Sequence, residues 1–172
     1  GISTLFMAAN WNLVMSIANK EAVAASLAKY KFMVSFDLFL TETSNFADIV
    51  LPDCGYLQSL DSRSNFPFIF SLPAGMGEWC WPIRQPVLPP DGEQRHCADV
   101  LLEIAERVGF RADLNAAYNA SLNIQAPHRL QGETRYSYAQ ICDAELKNNF
   151  GTERGLDWFK EQGVIKWKKK PE

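Results

Sequence analysis

Asp37, Thr41, Glu42, Thr43 and Ser44 gather carboxylates and hydroxyls into one stretch, DLFLTETS, directly after the apolar run Phe32, Met33, Val34 and Phe36. Ionised carboxylates accept hydrogen bonds and hydroxyls both donate and accept, so this set suits a polar ligand rich in N–H and O–H groups. A second apolar run, Ile49 to Leu51, closes at Pro52 and is followed at once by another acid, Asp53. Two strands thus deliver acids to one edge. The competing reading is that Asp37 and Asp53 cap or turn the chain, as Asp does in loops; spacing alone leaves both open.

The elements that must position these groups follow from periodicity. A short unbroken apolar run is the pattern of a parallel strand covered on both faces. Ser3 to Ala9 reads as a preceding strand ending in Asn10. Lys20 to Tyr30 reads as a helix, with Asn19 as N-cap and Val23, Leu27 and Tyr30 at helical spacing. Strand, helix, strand implies a right-handed βαβ unit. Asn10 and Asp37 then share the carboxyl edge, where doubly wound sheets bind nucleotides. A helix amino terminus after the first strand would offer N–H groups to a phosphate.

The chain has 172 residues, 47% of them hydrophobic, enough for one domain with a real core. No run approaches the ~18 apolar residues of a membrane span. A net charge of −3 argues against a nucleic-acid surface. Lys166, Lys168, Lys169 and Lys170 around Trp167 read as a solvated tail. Cys54, Cys80, Cys97 and Cys142 form no CxxC pair, so neither an iron–sulfur cluster nor a structural zinc is expected from them. His96 and His128 stand far apart. There is no Gly-rich phosphate loop, GxSxG or HExxH.

From about residue 55 to 92 the character changes. Pro67, Pro73, Pro82, Pro86, Pro89 and Pro90 forbid a long helix. PFIF and IRQPVL read as short strands of an edge hairpin. Phe66, Phe68, Phe70, Trp79 and Trp81 read as an aromatic mini-core under a long loop. A strong helix is expected from Cys97 to Val108, with Val100, Leu101, Ile104, Ala105 and Val108 on its apolar face and Gly109 as its stop. Further helices are expected at 112–122, 137–148 and 155–162, the last ending at Gly163. Asn119, Ala120, Ser121 matches a glycosylation acceptor inside a helical pattern and reads as chance. The expected fold class is α/β: a Rossmann-like layered domain, with a mostly parallel sheet flanked by helices and a Pro/aromatic-rich irregular insert. Residues 1–172 form a single domain in this reading, with a βαβ core at 1–54, the insert at 55–92, and helical segments at 93–172 packing on the sheet.

The ordered blocks AAN at 8–10, FDLFLTET at 36–43, ADIVLPD at 47–53, RQPVLPPDGEQR at 84–95 and LLEIAERVG at 101–109 resemble the molybdopterin oxidoreductase family of dimethyl sulfoxide reductase type. DWFKEQGVI at 157–165 resembles it more loosely. LPDCGYLQ resembles the branch with acetylene hydratase-like and phenylacetyl-CoA oxidoreductase-like subunits more than the nitrate reductases. The resemblance implies a catalytic subunit carrying a bis(molybdopterin guanine dinucleotide) cofactor, of which this chain is an internal segment near one guanosine end. Asn10 matches the asparagine of the family's GxNP turn, and Asp37, Thr41 and Glu42 match its DxFxTET block. Asp48 matches the aspartate of its ADVVLP block, where a structural cap is an equal expectation. Guanine offers an N–H and an amino group side by side, which one carboxylate accepts in parallel; Asp37 is the expected reader. Thr41 and Asn10 would reach ribose or phosphate oxygens.

Ala8 and Trp11 replace the glycine and proline of GxNP, which puts the close backbone approach at that turn in doubt. Family catalytic subunits are several times longer, and the resemblance assigns the iron–sulfur cysteines and the molybdenum or tungsten ligand to parts outside this chain. The implied partners are the remaining domains of the same large polypeptide, together with an iron–sulfur electron-transfer subunit. Any export signal would also lie outside the segment. The isolated segment is expected to show no turnover. A stand-alone guanine-nucleotide or pterin-dinucleotide binding module, and a structural subunit-contact domain, are the alternatives.

Overall fold

A computed structural model describes residues 3–7, 11–62 and 78–168. The contacts divide the chain into two compact units, Gly1–Tyr56 with Pro89–Cys97, and Leu57–Leu88 with Ala98–Glu172.

The first unit is built on a parallel sheet of β1 (Thr4–Met7), β2 (Phe32–Asp37) and β3 (Ile49–Pro52), in the order β1-β2-β3. Met33, Val34, Ser35 and Phe36 of the central strand are all buried. Burial without alternation means that both faces are covered, as the apolar run requires. The β1 to β2 connection carries a single helical turn, α1 (Leu13–Ser16), and α2 (Lys20–Leu27). Asn19 caps α2, its side chain accepting the Ala22 N–H at 3.1 Å. The cap sits at φ +64°, a left-handed conformation that Asn tolerates better than most residues. Val14, Leu27 and Met33 form the core, with Leu5, Leu13, Val23 and Ala47 packed against it. From β2 to β3 the chain crosses by a loop and one 3-10 turn, Ser44–Phe46.

The second unit is mainly helical. It comprises β4 (Glu78–Pro82), α3 (Cys97–Arg107, all but its first residue), α4 (Arg111–Ser121), α5 (Tyr138–Phe150), α6 (Leu156–Gln162) and β5 (Val164–Lys168). The helix expected to reach Val108 stops at Arg107, and Val108 is exposed. Gly109 at φ +73° lets the Phe110 N–H reach the Ala105 carbonyl at 2.7 Å and the Gly109 N–H reach Glu106, a Schellman ending. α5 opens with a capping box that pairs Ser137 with Gln140.

Two cores hold this unit. One joins Cys142, Leu146, Leu156 and Phe159 with Trp81, Ile83 and Phe150; the other joins Ile124, Leu130 and Ile141 with Leu102 and Tyr118. Trp81 meets Phe150 edge-on at 5.4 Å, so this part of the aromatic insert does pack into a core. Phe66, Phe68, Phe70 and the PFIF segment lie outside the described residues.

The insert's described strand is EWCWP, with IRQPVL not a strand. β4 pairs antiparallel with β5, Trp79 in register with Trp167. Lys166 and Lys168 therefore lie in a strand rather than in a tail, with their side chains exposed; Lys169 and Lys170 lie outside the described residues. Within IRQPVL only Arg84 forms a β-bridge, to Asp61, reinforced by a 3.6 Å ion pair, while the Val87 and Leu88 N–H groups both reach the Leu57 carbonyl. Pro82 and Pro86 bracket Arg84 and remove two backbone donors, which keeps the bridge to a single residue.

Candidate functional site

Asp37 closes the central strand, in register with Pro52 of β3. Its side chain is half-buried. One carboxylate oxygen accepts the Leu38 N–H at 2.9 Å and the other accepts the Thr41 hydroxyl at 3.0 Å. Each carboxylate oxygen has two lone pairs, so each keeps one for a ligand. The acid is thus oriented and still able to accept.

Thr41 and Ser44 close a compact turn that supplies this orientation. The Thr41 N–H reaches the Ser44 hydroxyl at 2.6 Å, and the Ser44 N–H reaches the Thr41 hydroxyl at 3.2 Å. With its proton directed at Asp37, the Thr41 hydroxyl serves to hold the acid.

Glu42 is exposed at the next position and binds the Asn12 amide at 2.6 Å. That bond, followed by one to its own backbone and the attraction of Lys20, holds the Glu42 carboxyl below its ordinary value of 4.5 against a smaller upward push from desolvation. The other end of the Asn12 amide accepts the Thr43 hydroxyl at 2.8 Å, and that hydroxyl accepts the Val14 N–H at 3.0 Å. The loop after β1 and the loop after β2 are therefore tied together by Asn12 and Thr43.

At the helix expected after β1, α2, the Ala22 N–H is taken by the Asn19 side chain. The α1 that precedes it is one turn long, and its Val14 N–H is taken by Thr43. Asn12 is the residue that sequence reasoning missed, and with it the role of Thr43 as its partner. Asn12 stands at the N-cap position of α1 without capping it; a polar residue directly before the apolar pair Leu13 and Val14 was the available signal.

Asn10 lies outside the described residues. Asp48 is not brought to the same edge. It precedes β3, where its carboxylate accepts the Met33 N–H at 2.8 Å and its own N–H reaches the Met33 carbonyl at 2.8 Å. Met33 is four residues before Asp37, about 13 Å away along the strand. Asp53 is buried, and one of its oxygens accepts the N–H groups of Cys54 at 2.8 Å and Cys97 at 2.9 Å. It secures the start of α3, as the capping reading expected. Of the named acids, Asp37 and Glu42 share the carboxyl-edge loop of β2.

Around them Leu38, Phe39 and Leu40 are exposed, Phe39 at 76% and Leu40 at 79%. Three consecutive apolar side chains in water beside an oriented acid are the kind of surface that a ligand or a protein neighbour covers. Among the described residues no group of three or more His, Cys, Asp or Glu could hold a metal ion, and no helix is long and apolar enough to cross a membrane.

A family model described as molybdopterin oxidoreductase matches residues 1–107. The chain is 36% identical over 126 residues to a sulfite dehydrogenase subunit of Allochromatium vinosum, covering 67% of this chain and 12% of that protein. It is 28% identical over 98 residues to the assimilatory nitrate reductase catalytic subunit of Bacillus subtilis, covering 57% of this chain and 12% of that protein. Among solved structures, acetylene hydratase from Pelobacter acetylenicus superposes with a TM-score of 0.62 at 20% identity, over 98% of this chain and 19% of that one. At that identity the likeness is one of fold. The matched region is 12% of the length of either curated relative.

Proposed function

The chain belongs to the molybdopterin oxidoreductase family, and from that membership we propose that it helps to hold the guanosine end of a molybdopterin guanine dinucleotide within a larger molybdenum- or tungsten-dependent oxidoreductase. The observation that carries this reading is the Asp37 carboxylate at the carboxyl end of the central parallel strand, held by Leu38 and Thr41 with a lone pair left on each oxygen. Guanine's adjacent N–H and amino donors match two parallel acceptors on one rigid carboxylate. Adenine, with an acceptor where guanine has that N–H, leaves one of them unused.

The residues present fit such a group. Asp37 would read the base edge, and Thr41 would keep its carboxylate in the reading orientation. Glu42, held at the rim by Asn12, would accept from a ribose hydroxyl, and Asn10 would reach a ribose or phosphate oxygen. Asp48 would act from the far end of the sheet by fixing β3 against β2. Leu38, Phe39 and Leu40 would exclude water from the guanosine. The cofactor supplies two-electron chemistry at its metal when bound; this segment's part is binding and orientation.

Further parts of the same polypeptide would complete the cradle, and an iron–sulfur subunit would exchange electrons with it. Relatives are themselves named as subunits, among them the menaquinone reductase molybdopterin-binding-like subunit of Nitratidesulfovibrio vulgaris, 30% identical over 106 residues. The 172-residue chain alone is expected to bind nucleotide weakly and to turn over no substrate.

Amide NMR of the labelled chain with millimolar GMP tests the reading. The expected result is concentration-dependent shifts confined to Asp37–Ser44 and the Asn12 loop, smaller with AMP and absent in Asp37→Asn. Equal shifts with both nucleotides, or none in this loop, would overturn it. Micromolar affinity for GMP, lost in Asp37→Asn, would instead favour a stand-alone guanine-nucleotide module.

A further inference from the structure

We infer that the outer edge of β5, in the second unit, is a docking strand for an extended acidic peptide segment supplied by another polypeptide. Among the described residues β5 belongs to a two-stranded sheet and pairs only with β4. Among the described residues, none from Val164 to Lys168 has a hydrogen bond outside that ladder. The opposite edge therefore presents its N–H and C=O groups unpaired. Such a row is a template for one more strand.

The edge opens onto a groove of about 670 Å³ whose wall includes Val164, Ile165, Lys166 and Trp167 in succession. Alternate side chains of a strand point to opposite faces. A groove touched by four consecutive residues therefore runs along the strand edge instead of under one face. Its other wall comes from the end of α5 and from α6, including Phe150, Arg154 and Trp158.

The floor is aromatic and already built. Phe150 lies 5.8 Å from Phe159 and 6.2 Å from Trp167, and Trp158 meets Phe159 edge-on at 4.9 Å. Trp167 nevertheless remains 43% exposed. A guest side chain with an apolar body would cover it without any rearrangement of the core below.

Charge selects the guest. Lys166 and Arg154 line the groove, and Lys168 follows two positions along the same face of the strand. Lys166 has no ion-pair partner among the described residues. Arg154 faces Glu153 at 3.6 Å, with the Glu153 side chain largely in water and that of Arg154 partly so, a pair of little energetic weight. It also sits 5.8 Å over the Trp158 ring. Glu78 stands opposite Lys168 in the β4 register and offsets part of that lysine's charge. The surplus at the groove stays positive. A second copy of this chain is a poor guest, because antiparallel pairing of two β5 edges sets their lysines against each other. An extended segment with glutamate or aspartate alternating with apolar residues satisfies the edge, the floor and the charge together. This docking does not depend on the nucleotide reading of the first unit.

A fluorescein-labelled peptide alternating glutamate with phenylalanine, titrated with the full 172-residue chain, tests the inference by anisotropy. The expected result is saturable micromolar binding that weakens with salt and falls roughly tenfold in Lys166→Glu. Arg154→Glu should weaken it as well, and amide exchange at Val164–Lys168 should slow in the complex. A peptide with lysine in place of glutamate, or one N-methylated at alternate amides, should not bind. Circular dichroism of both variants verifies that the fold is kept. Absence of binding, equal binding of acidic and basic peptides, or indifference to N-methylation would overturn the proposal. So would sedimentation showing that the chain dimerises through β5.

Discussion

Asn12 in the first unit and Asn119 in the second each use both ends of a side-chain amide, but to different ends. Asn12 is half-buried and bridges two side chains, Glu42 and Thr43, of the loop after β2. Asn119 is buried and closes on the backbone of one residue, donating to the Leu130 carbonyl at 2.8 Å and accepting the Leu130 N–H at 2.9 Å. One turn earlier Asn115 is buried too, its amide nitrogen within 3.0 Å of the carbonyls of Gln131, Gly132 and Thr134. Polar groups of the second unit are spent on its own loops, so they specify architecture. Asp37 and Glu42, at the sheet edge of the first unit, are oriented yet keep capacity at the surface, the condition for meeting a ligand.

The largest effect should come from the closed side of this contrast. Asn119→Ala strands a buried N–H and a buried C=O of Leu130 at once, and each costs on the order of 1–3 kcal/mol. Urea unfolding of the variant should show a loss of about 3 kcal/mol. A loss under about 1 kcal/mol would mean that water reaches Leu130 and that the two units treat polar groups alike. The same geometry answers the Asn-Ala-Ser acceptor pattern: its asparagine is engaged inside α4 and out of solvent.

The next effect appears at alkaline pH and also belongs to the second unit. Burial, the largest influence, pushes the Cys142 thiol up from 9.0 to about 11 despite hydrogen bonds to Ser62 and Tyr138 that pull the other way. Burial likewise drives the neighbouring Tyr138 hydroxyl upward. In this window the folded state keeps a proton that the unfolded chain has released, so stability should fall as pH rises from 9 to about 11. The linked cost is just under ~3 kcal/mol. Chemical denaturation at stepped pH should show this slope, and Cys142→Ala should flatten its lower part, from 9 to about 10, below the range where Tyr138 adds a slope of the same sign. An unchanged slope in that variant would remove Cys142 as its source.

A third, smaller effect is on stability at Asp37, where Asp37→Asn should cost less than about 1 kcal/mol because the site is half in water. The same change should nevertheless erase the GMP-dependent shifts. If the variant unfolds as readily as Asn119→Ala, Asp37 is a structural cap and the contrast between the units fails at its central residue.

The two units also differed in how far they could be read from sequence. The nearly unbroken apolar run from Phe32 to Phe36 announced a strand covered on both faces, and Asp37 at its end followed directly. Asn19, Gly109 and Gly163 marked helix boundaries because their conformations are local. β4 and β5 were not legible: EWCWP and VIKWK lie far apart in sequence, and each is a strand only because the other is there. Asn12, and with it the role of Thr43 as its partner, escaped for the same reason, their meeting being a property of two loops brought together by the β1–β2 pairing. The SYAQ capping box was local and could have been seen.

The finest test of the first unit is the link between Asn12 and Glu42. Because the Asn12 amide is the main reason that the Glu42 carboxyl sits below 4.5, Asn12→Ala should move it back toward 4.5. Glu42 in the intact chain contributes stability that is present above its unfolded value and is lost as pH falls through its lower folded value. The acid limb of the stability profile should therefore shift slightly, in the direction opposite to the Cys142 limb. NMR titration of the Glu42 carboxyl carbon reads this directly in both proteins. The shift should leave the alkaline limb untouched, since Cys142 and Tyr138 belong to the other unit. A Glu42 carboxyl unmoved by Asn12→Ala would mean that the two loops are not latched in solution. Glu42 would then titrate at the rim without the orientation that the ribose contact needs, and Asp37 alone would carry recognition.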